Sequence, residues 1–498
     1  MSRIQNNRFI CPESAGACPR ESEMKKYEKG PADSPRTEGR YTGLSAPVAD
    51  SLLAGMSYAW NVNNNGNVNN NNKNNNNKVR SVRAFAASSS DLNLFFQDAD
   101  AKIELTDLFV AYYDCRKNKR KTINAIAFEL DYEHNLIELC NDINNGTYQI
   151  SRSISFIVDK PVKREIFAAD FRDRIVHHYI INKINSLFEN LFINDSYSCR
   201  EGKGTQYGIR RLYANIWQCS KGYRQDAYIL KLDIEGFFMH IDKALLRERL
   251  TRFLEEQYFG NDKKIIIRLC RQIVDNDPTE HCFVKGGKRS WEGLPKSKSL
   301  FWVGKDKGLP IGNLTSQVFA NFYLDPLDKF VTQTLGMKYY GRYVDDFVLV
   351  HEDKAFLLEQ IPKIARFLEN HLLLKLHSKK IYFQHFSKGV KFIGAVVLPH
   401  RIYIANRTKG NCWQSISKYN EIVRDHYPSK DEVKAFQQSI NSYFGFMCHY
   451  KTYNIRKKML RHFSAYWWNH IYIRNGYVSL KRRQLSRSEM KNCIFINC

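Results

Sequence analysis

From Lys338 to Val350 the chain runs through Tyr339, Tyr340, Tyr343 and Val344 into two adjacent carboxylates, Asp345 and Asp346. It resumes with Phe347, Val348 and Leu349. Apolar and aromatic residues on both sides of a short acidic interruption predict strand, tight turn, strand, with the two acids at the tip. Neighbouring carboxylates repel and raise each other's pKa unless a cation neutralises them, so such a tip is either a surface turn or a hard-metal site. A second acid in a matching context decides. Tyr228 to Leu232 has the pattern of a buried strand ending at Asp233, and Gly236 breaks the chain into the next element. With this strand beside the hairpin, Asp233 and Asp345 share two divalent ions, an arrangement suited to in-line phosphoryl transfer.

The formal charge is +25 over 498 residues, which points to a polyanionic partner, because basic surface releases counterions from a phosphate backbone. The excess is concentrated: residues 451–498 hold eleven Lys or Arg against one acid, Glu489. Twelve cysteines with no Cys-x-x-Cys pair read as reduced core thiols, and no apolar run reaches membrane-spanning length. No membrane association and a cytoplasmic location are expected. His177 and His178 read as helix residues rather than ligands.

Tyr343-Val344-Asp345-Asp346, preceded by Asp233-Ile234-Glu235-Gly236-Phe237-Phe238, resembles the palm of reverse transcriptases. The resemblance spans roughly residues 120–470. It implies an α/β (α+β palm) fold, a right hand of fingers, palm and thumb. It implies two Mg2+ ions, with Mn2+ as a substitute, held by Asp233, Asp345, Asp346 and the Ile234 backbone carbonyl. In the fingers, Arg164 is the best match for the residue that grips the incoming triphosphate and Lys160 the second. Arg200 and Lys203, beside two glycines, match a block that touches the template. Phe238 lies where the family places an aromatic gate against a 2′-hydroxyl. Lys380 matches a lysine facing the triphosphate, with Lys379 interchangeable with it. Gly389, Phe392 and Gly394 fall in the hairpin that grips the primer end.

In the stretch Gly308 to Gln317 most reverse transcriptases carry Gln-Gly and then Ser-Pro. Ile311-Gly312 and Ser316-Gln317 stand there instead. This resembles the reverse transcriptases of diversity-generating retroelements. Gly312 lets backbone approach the nascent pair. Ile311 replaces an amide near the templating position with a hydrocarbon, which weakens rejection of mispairs. The resemblance implies an RNA template, a DNA or RNA primer, deoxynucleoside triphosphates (dNTPs) and a small basic helical-bundle accessory protein. A group II intron, retron or defence-type enzyme, and a silent RNA-binding scaffold, are the alternatives. No Cys/His-rich module follows the thumb region, which weighs against an intron maturase.

The domain boundaries expected are a disordered low-complexity extension over 1–90, N-terminal helices and fingers over 91–225, palm over 226–400, helical thumb over 401–475 and a basic tail over 476–498. Thirteen of the seventeen residues from Asn61 to Asn77 are Asn. Asn is encoded only by AAC and AAU, so the gene is dense in adenine here, as a copied template repeat would be. The aromatics of 411–470 read as thumb core.

Overall fold

The computed structural model describes residues 59–62, 68–71, 102–117, 122–159, 162–474 and 476–483. Within the Asn-rich segment, β1 (Ala59–Val62) and β2 (Val68–Asn71) pair antiparallel with Val62 opposite Val68, where no regular structure was expected. Valines on both strands, with Asn65-Gly66 between them in sequence, are hairpin formers. The remaining residues up to 101 lie outside the described set.

Three helices lead the globular part: α1 (Leu105–Arg116), α2 (Ile123–Glu129) and α3 (Tyr132–Asn145). The last stops at Gly146, whose φ of +75° only a residue without Cβ takes cheaply. They bury Leu108, Tyr112, Leu136 and Leu139 in one cluster with Ile175, Tyr179 and Phe188 of α4 (Phe171–Leu191). A small sheet follows in the order β4-β3-β6. β3 (Ile154–Val158) lies antiparallel to β4 (Arg164–Ala168) and parallel to β6 (Phe283–Val284).

The palm is a four-stranded antiparallel sheet in the order β7-β8-β5-β9: Tyr339–Tyr343, Asp346–His351, Tyr228–Asp233 and Tyr382–His385. Its strands are apolar on both faces because both are covered. Leu230, Leu232, Phe347 and Leu349 join the cluster formed with α9 (Leu314–Lys329) and α10 (Lys354–Leu372). Ile229, Val348 and Val350 pack with α5 (Thr205–Cys219) and the sheet β10-β11-β12, Val390–Phe392, Ala395–Leu398 and Arg401–Ile404. α6 (Phe237–His240), α7 (Lys243–Gln257) and α8 (Lys263–Asp275) flank the first cluster.

The thumb helices α11 (Asn406–Asp425), α12 (Lys430–Met447) and α13 (Tyr453–Arg461) close on a core of Phe436, Phe444 and Trp467. The rings of Phe436 and Trp467 stack at 4.1 Å, so these aromatics are core. A hairpin of β13 (Ile471–Arg474) and β14 (Ser479–Arg482) belongs to the same body: Leu480 is buried, and Gln437 and Asn441 donate to its carbonyl at 2.9 Å. Structure therefore runs past residue 475, where a tail was expected to begin, because one buried Leu inside a basic run suffices to dock a strand. Most of the described cysteines are buried. No described helix is long and apolar enough to cross a membrane.

Candidate active site

β5 and β8 pair so that Asp233 stands directly opposite Asp346. Along one face of this ladder the pairs are Ile229 with Val350, Lys231 with Val348, and Asp233 with Asp346, apolar at the base and charged at the rim. Val344 and Asp345 form the two-residue turn between β7 and β8. Three carboxylates thus share one sheet end, and opposed like charges destabilise a ladder. Two lysines offset them. Lys231 Nζ is 3.1 Å from Asp346, and Lys380 Nζ donates to both oxygens of Asp233 at 2.8 and 3.0 Å.

Asp345 has no ion pair among the described residues. Burial, then the charges of Asp233 and Asp346, pushes its pKa up to about 6. Asp346 is also raised, by burial against the pull of Lys231. Among the described residues no three acidic, His or Cys side chains converge in metal-ligating geometry, and Asp233 and Asp346 are each paired with a lysine. The donor set nonetheless suits a divalent ion: three hard carboxylates crowd one strand end, and a cation there would relieve the repulsion that raises Asp345. Ile234, directly behind, is bridged to Leu376.

The turn itself is strained. Val344 has φ +58°, uncommon for a β-branched residue. It is held from below by Arg342, fully buried, which donates to the Val344 carbonyl at 3.1 Å and grips Asp328 of α9 with two bonds of 2.6 and 2.7 Å. Tyr340 adds a third bond to Asp328. Ser198 Oγ accepts from the Val344 amide and donates to Asn321, which donates back to the Ser198 carbonyl. Ser196 bridges to Arg342 as an added edge of the sheet, and Gly341 lets the Tyr197 ring cross, because a Cβ there would lie 2.3 Å from its hydroxyl. The sequence reading missed Arg342 and Asp328. The available signal was Arg342 within the aromatic strand Tyr339–Tyr343, since a buried charge is tolerated only when paired.

The other expected residues fall as follows. Lys160 lies outside the described residues. Arg164 is exposed at the start of β4, paired with Val158. Phe238 is half-buried, its ring edge-on to Phe237 at 5.4 Å, and packs with Ile311 against Phe167, Met239 and Leu300. Ile311 accepts from the Phe167 amide at 3.0 Å. The close approach at Gly312 is to β4: at φ +133° a Cβ would lie 2.9 Å from Ile166 and 3.0 Å from the Phe167 carbonyl. Gln317 is turned inward, accepting from Cys199 and donating to Asn313. Of Lys379 and Lys380, it is Lys380 that reaches Asp233. Gly389 backs onto the Val397 carbonyl, Phe392 is buried, and Gly394 with Ile393 forms the β10-β11 turn.

Arg200 departs from the expected phosphate contact. It is 5% exposed and its guanidinium is engaged by Glu189 and by the Ile193 and Ser196 carbonyls. A planar five-donor group satisfies several acceptors at once, so here it fastens the loop. Lys203 is half-buried and donates to Asn194, its pKa lowered to about 8 chiefly by burial and then by Arg200.

The architecture is a right hand of fingers, palm and thumb with three acids at one end of the palm sheet. Residues 160–397 match the family described as "Reverse transcriptase (RNA-dependent DNA polymerase)". Protein YkfC of Escherichia coli (strain K12) is 22% identical over 255 residues, 45% of this chain; the chain spans 60% of the length of that relative. Among solved structures, apo telomerase from Candida tropicalis superposes with a TM-score of 0.40 at 13% identity, over 66% of this chain and 60% of that one. Candida albicans telomerase in complex with a telomeric RNA fragment gives 0.38 at 11%, over 68% and 62%.

Proposed function

We propose that this chain is an RNA-directed DNA polymerase extending a primer with dNTPs, and that it serves a diversity-generating retroelement by copying a template repeat with errors at adenines. The observation that carries the polymerase reading is Asp233 opposite Asp346 with Asp345 at the adjoining turn. Asp233, Asp345, Asp346 and the Ile234 carbonyl are the ligands for divalent ions, which when bound supply charge stabilisation to the attacking and leaving oxygens. Lys380, bonded to Asp233 in this structure, would face the triphosphate once Asp233 held a cation, with Arg164 and Lys160 on the fingers side. Gly312 and Gln317 shape the templating side, while Lys203, Gly389, Phe392 and Gly394 keep duplex and primer end in place. The working regions are fingers over 91–225, palm over 226–400 and a thumb that continues to 482.

Phe238 is the sugar gate. In Phe238→Ala, discrimination against ribonucleotides relaxes by about ten- to hundred-fold, since a packed site rejects a hydroxyl mainly by lack of room. Steady-state incorporation of ribo- against deoxynucleotides measures it, and an unchanged ratio removes Phe238 from that role.

The retroelement reading rests on Ile311 and on the adenine-rich coding of Asn61 to Asn77, with the template overlapping the region that encodes about residues 56–85. A small basic helical-bundle protein is the proposed accessory partner. The deciding experiment is primer extension on a primed RNA followed by cDNA sequencing. Substitutions concentrate opposite template adenines, less so in Ile311→Gln, and a chain starting near Asp91 still polymerises. Errors spread evenly over the four template bases would return the enzyme to the group II intron or retron type.

A further inference from the structure

Between β6 and the Gly308 turn the chain makes a 25-residue excursion, residues 283–307, that the reaction proposed above does not use. It carries seven Lys or Arg against Glu292 and Asp306. Such a run is ordinarily a loose solvated loop. This one is fastened down. Glu165, the acid next to Arg164 on β4, is 1% exposed and accepts from Trp291 Nε1 at 2.6 Å, Ser299 Oγ at 2.7 Å and the Leu300 amide at 2.7 Å. Lys163 donates to the Glu292 carbonyl, and Leu300 is buried against Phe167 and Met239. The backbone also reaches the loop that follows Asp233: a Cβ on Gly236 would lie 3.6 Å from the Ser297 carbonyl. Lys296 and Lys298, on either side of Ser297, therefore belong to a segment that touches the turn three residues after Asp233.

What this fixed frame presents outward is cations interleaved with aromatic faces. Lys285, Arg289, Lys296, Lys298 and Lys307 are exposed. Among the described residues none of the five is in an ion pair, whereas Lys305 pairs with Glu280. Trp302 is 65% exposed, Phe283 53% and Phe301 39%, and Lys296 Nζ stands 4.3 Å over the Trp302 ring. A bare indole on a basic, rigidly held surface suits stacking of an unpaired base with phosphates on either side. A duplex, whose bases are already stacked, cannot use it.

We infer that residues 283–307 form a binding surface for single-stranded nucleic acid, holding the unpaired template strand ahead of the acid cluster. The inference builds on the polymerase reading in assigning that strand its role. An acidic protein is the competing occupant.

The test is fluorescence anisotropy with the full chain and two probes, a blunt primer–template duplex and the same duplex with an unpaired 5′ template extension. The wild type binds the extended probe roughly ten-fold more tightly. In Trp302→Ala that gain is largely lost, and in Lys296→Gln/Lys298→Gln the salt slope for the extended probe falls by about 1.4. Affinity for the blunt duplex is unchanged in both variants. All the replaced side chains are exposed, so folding is not at issue, and binding requires no catalysis. Should the chain fail to extend primers yet keep the gain, the surface stands and the polymerase reading falls. Equal affinity of the wild type for both probes overturns the surface, as does displacement of the extended probe by polyglutamate but not by excess single-stranded RNA.

Discussion

Asp345→Asn abolishes primer extension, leaves RNA binding intact and, near neutral pH without divalent ions, makes the protein harder to unfold. The loss of extension follows because a neutral amide contributes neither charge nor a strong donor to an ion shared with Asp233. The gain in stability follows from the raised pKa. Asp345 titrates near 6 in the fold, through burial and then the charges of Asp233 and Asp346. An unfolded aspartate titrates near 4, so the folded state binds the extra proton between these values. The contribution of Asp345 is full below about pH 4 and lost as pH rises through about 6, where the ionised form is held against its preference. The asparagine carries no such penalty. Thermal unfolding in chelator, followed from about pH 4 to about pH 8, should show the variant gaining on wild type between about pH 4 and about pH 6 and keeping a constant lead above that. Wild-type extension by the variant would remove Asp345 from catalysis, and parallel pH curves would show that the three acids do not repel.

Asp328→Asn should cost about 3–5 kcal/mol of stability, the range for leaving one partner of a buried ion pair uncompensated. Arg342 and Asp328 are both fully buried, and Arg342 has no second carboxylate to turn to among its bonded partners, Asn321, Ser196 and the Val344 carbonyl. A double variant, Asp328→Leu with Arg342→Met, replaces the pair by hydrocarbon of similar bulk and should recover most of that stability. It should not recover extension. Without the guanidinium on the Val344 carbonyl, the left-handed turn relaxes and Asp345 leaves its place beside the Asp233–Asp346 pair. Chemical denaturation and single-turnover extension on both variants separate the two effects. A double variant that is stable and fully active would make the pair a stability device only.

The acids, the strands that carry them and the helices covering them were legible because each rests on a local pattern. Tyr228 to Leu232 is a largely apolar run that ends at Asp233 ahead of a break at Gly236, and the two acids at 345 and 346 interrupt another. Partnership was not legible, because it is made across the sequence. Nothing around Arg200 marks it as enclosed by Glu189 and two carbonyls, nor does any neighbour of Glu165 reveal that Trp291 and Ser299 will converge on it. Arg200 was expected at the template phosphates, and Glu165 carried no expectation, until the fold supplied the partners of each. Gly312 shows the same limit in a milder form: its need for close approach was readable, but the backbone it approaches is β4. At the C-terminal end, Leu480 was outweighed by the basic residues around it, although one buried side chain decides where a strand docks.

The strand order of the palm bears on how the enzyme is made in the cell. β5 is central, yet both of its neighbours, β8 and β9, are synthesised more than a hundred residues later. At ribosomal speeds of roughly 5–20 residues per second, Asp233 and its flanking leucines wait about 5–20 s for partners. During that interval a strand apolar on both faces has two open edges, whereas the N-terminal helices close on near neighbours at once. Nascent chains stalled before residue 346 should therefore engage holdase chaperones strongly, and release should coincide with the arrival of β8. The site that copies information is thus assembled by one of the slowest closures in its own chain.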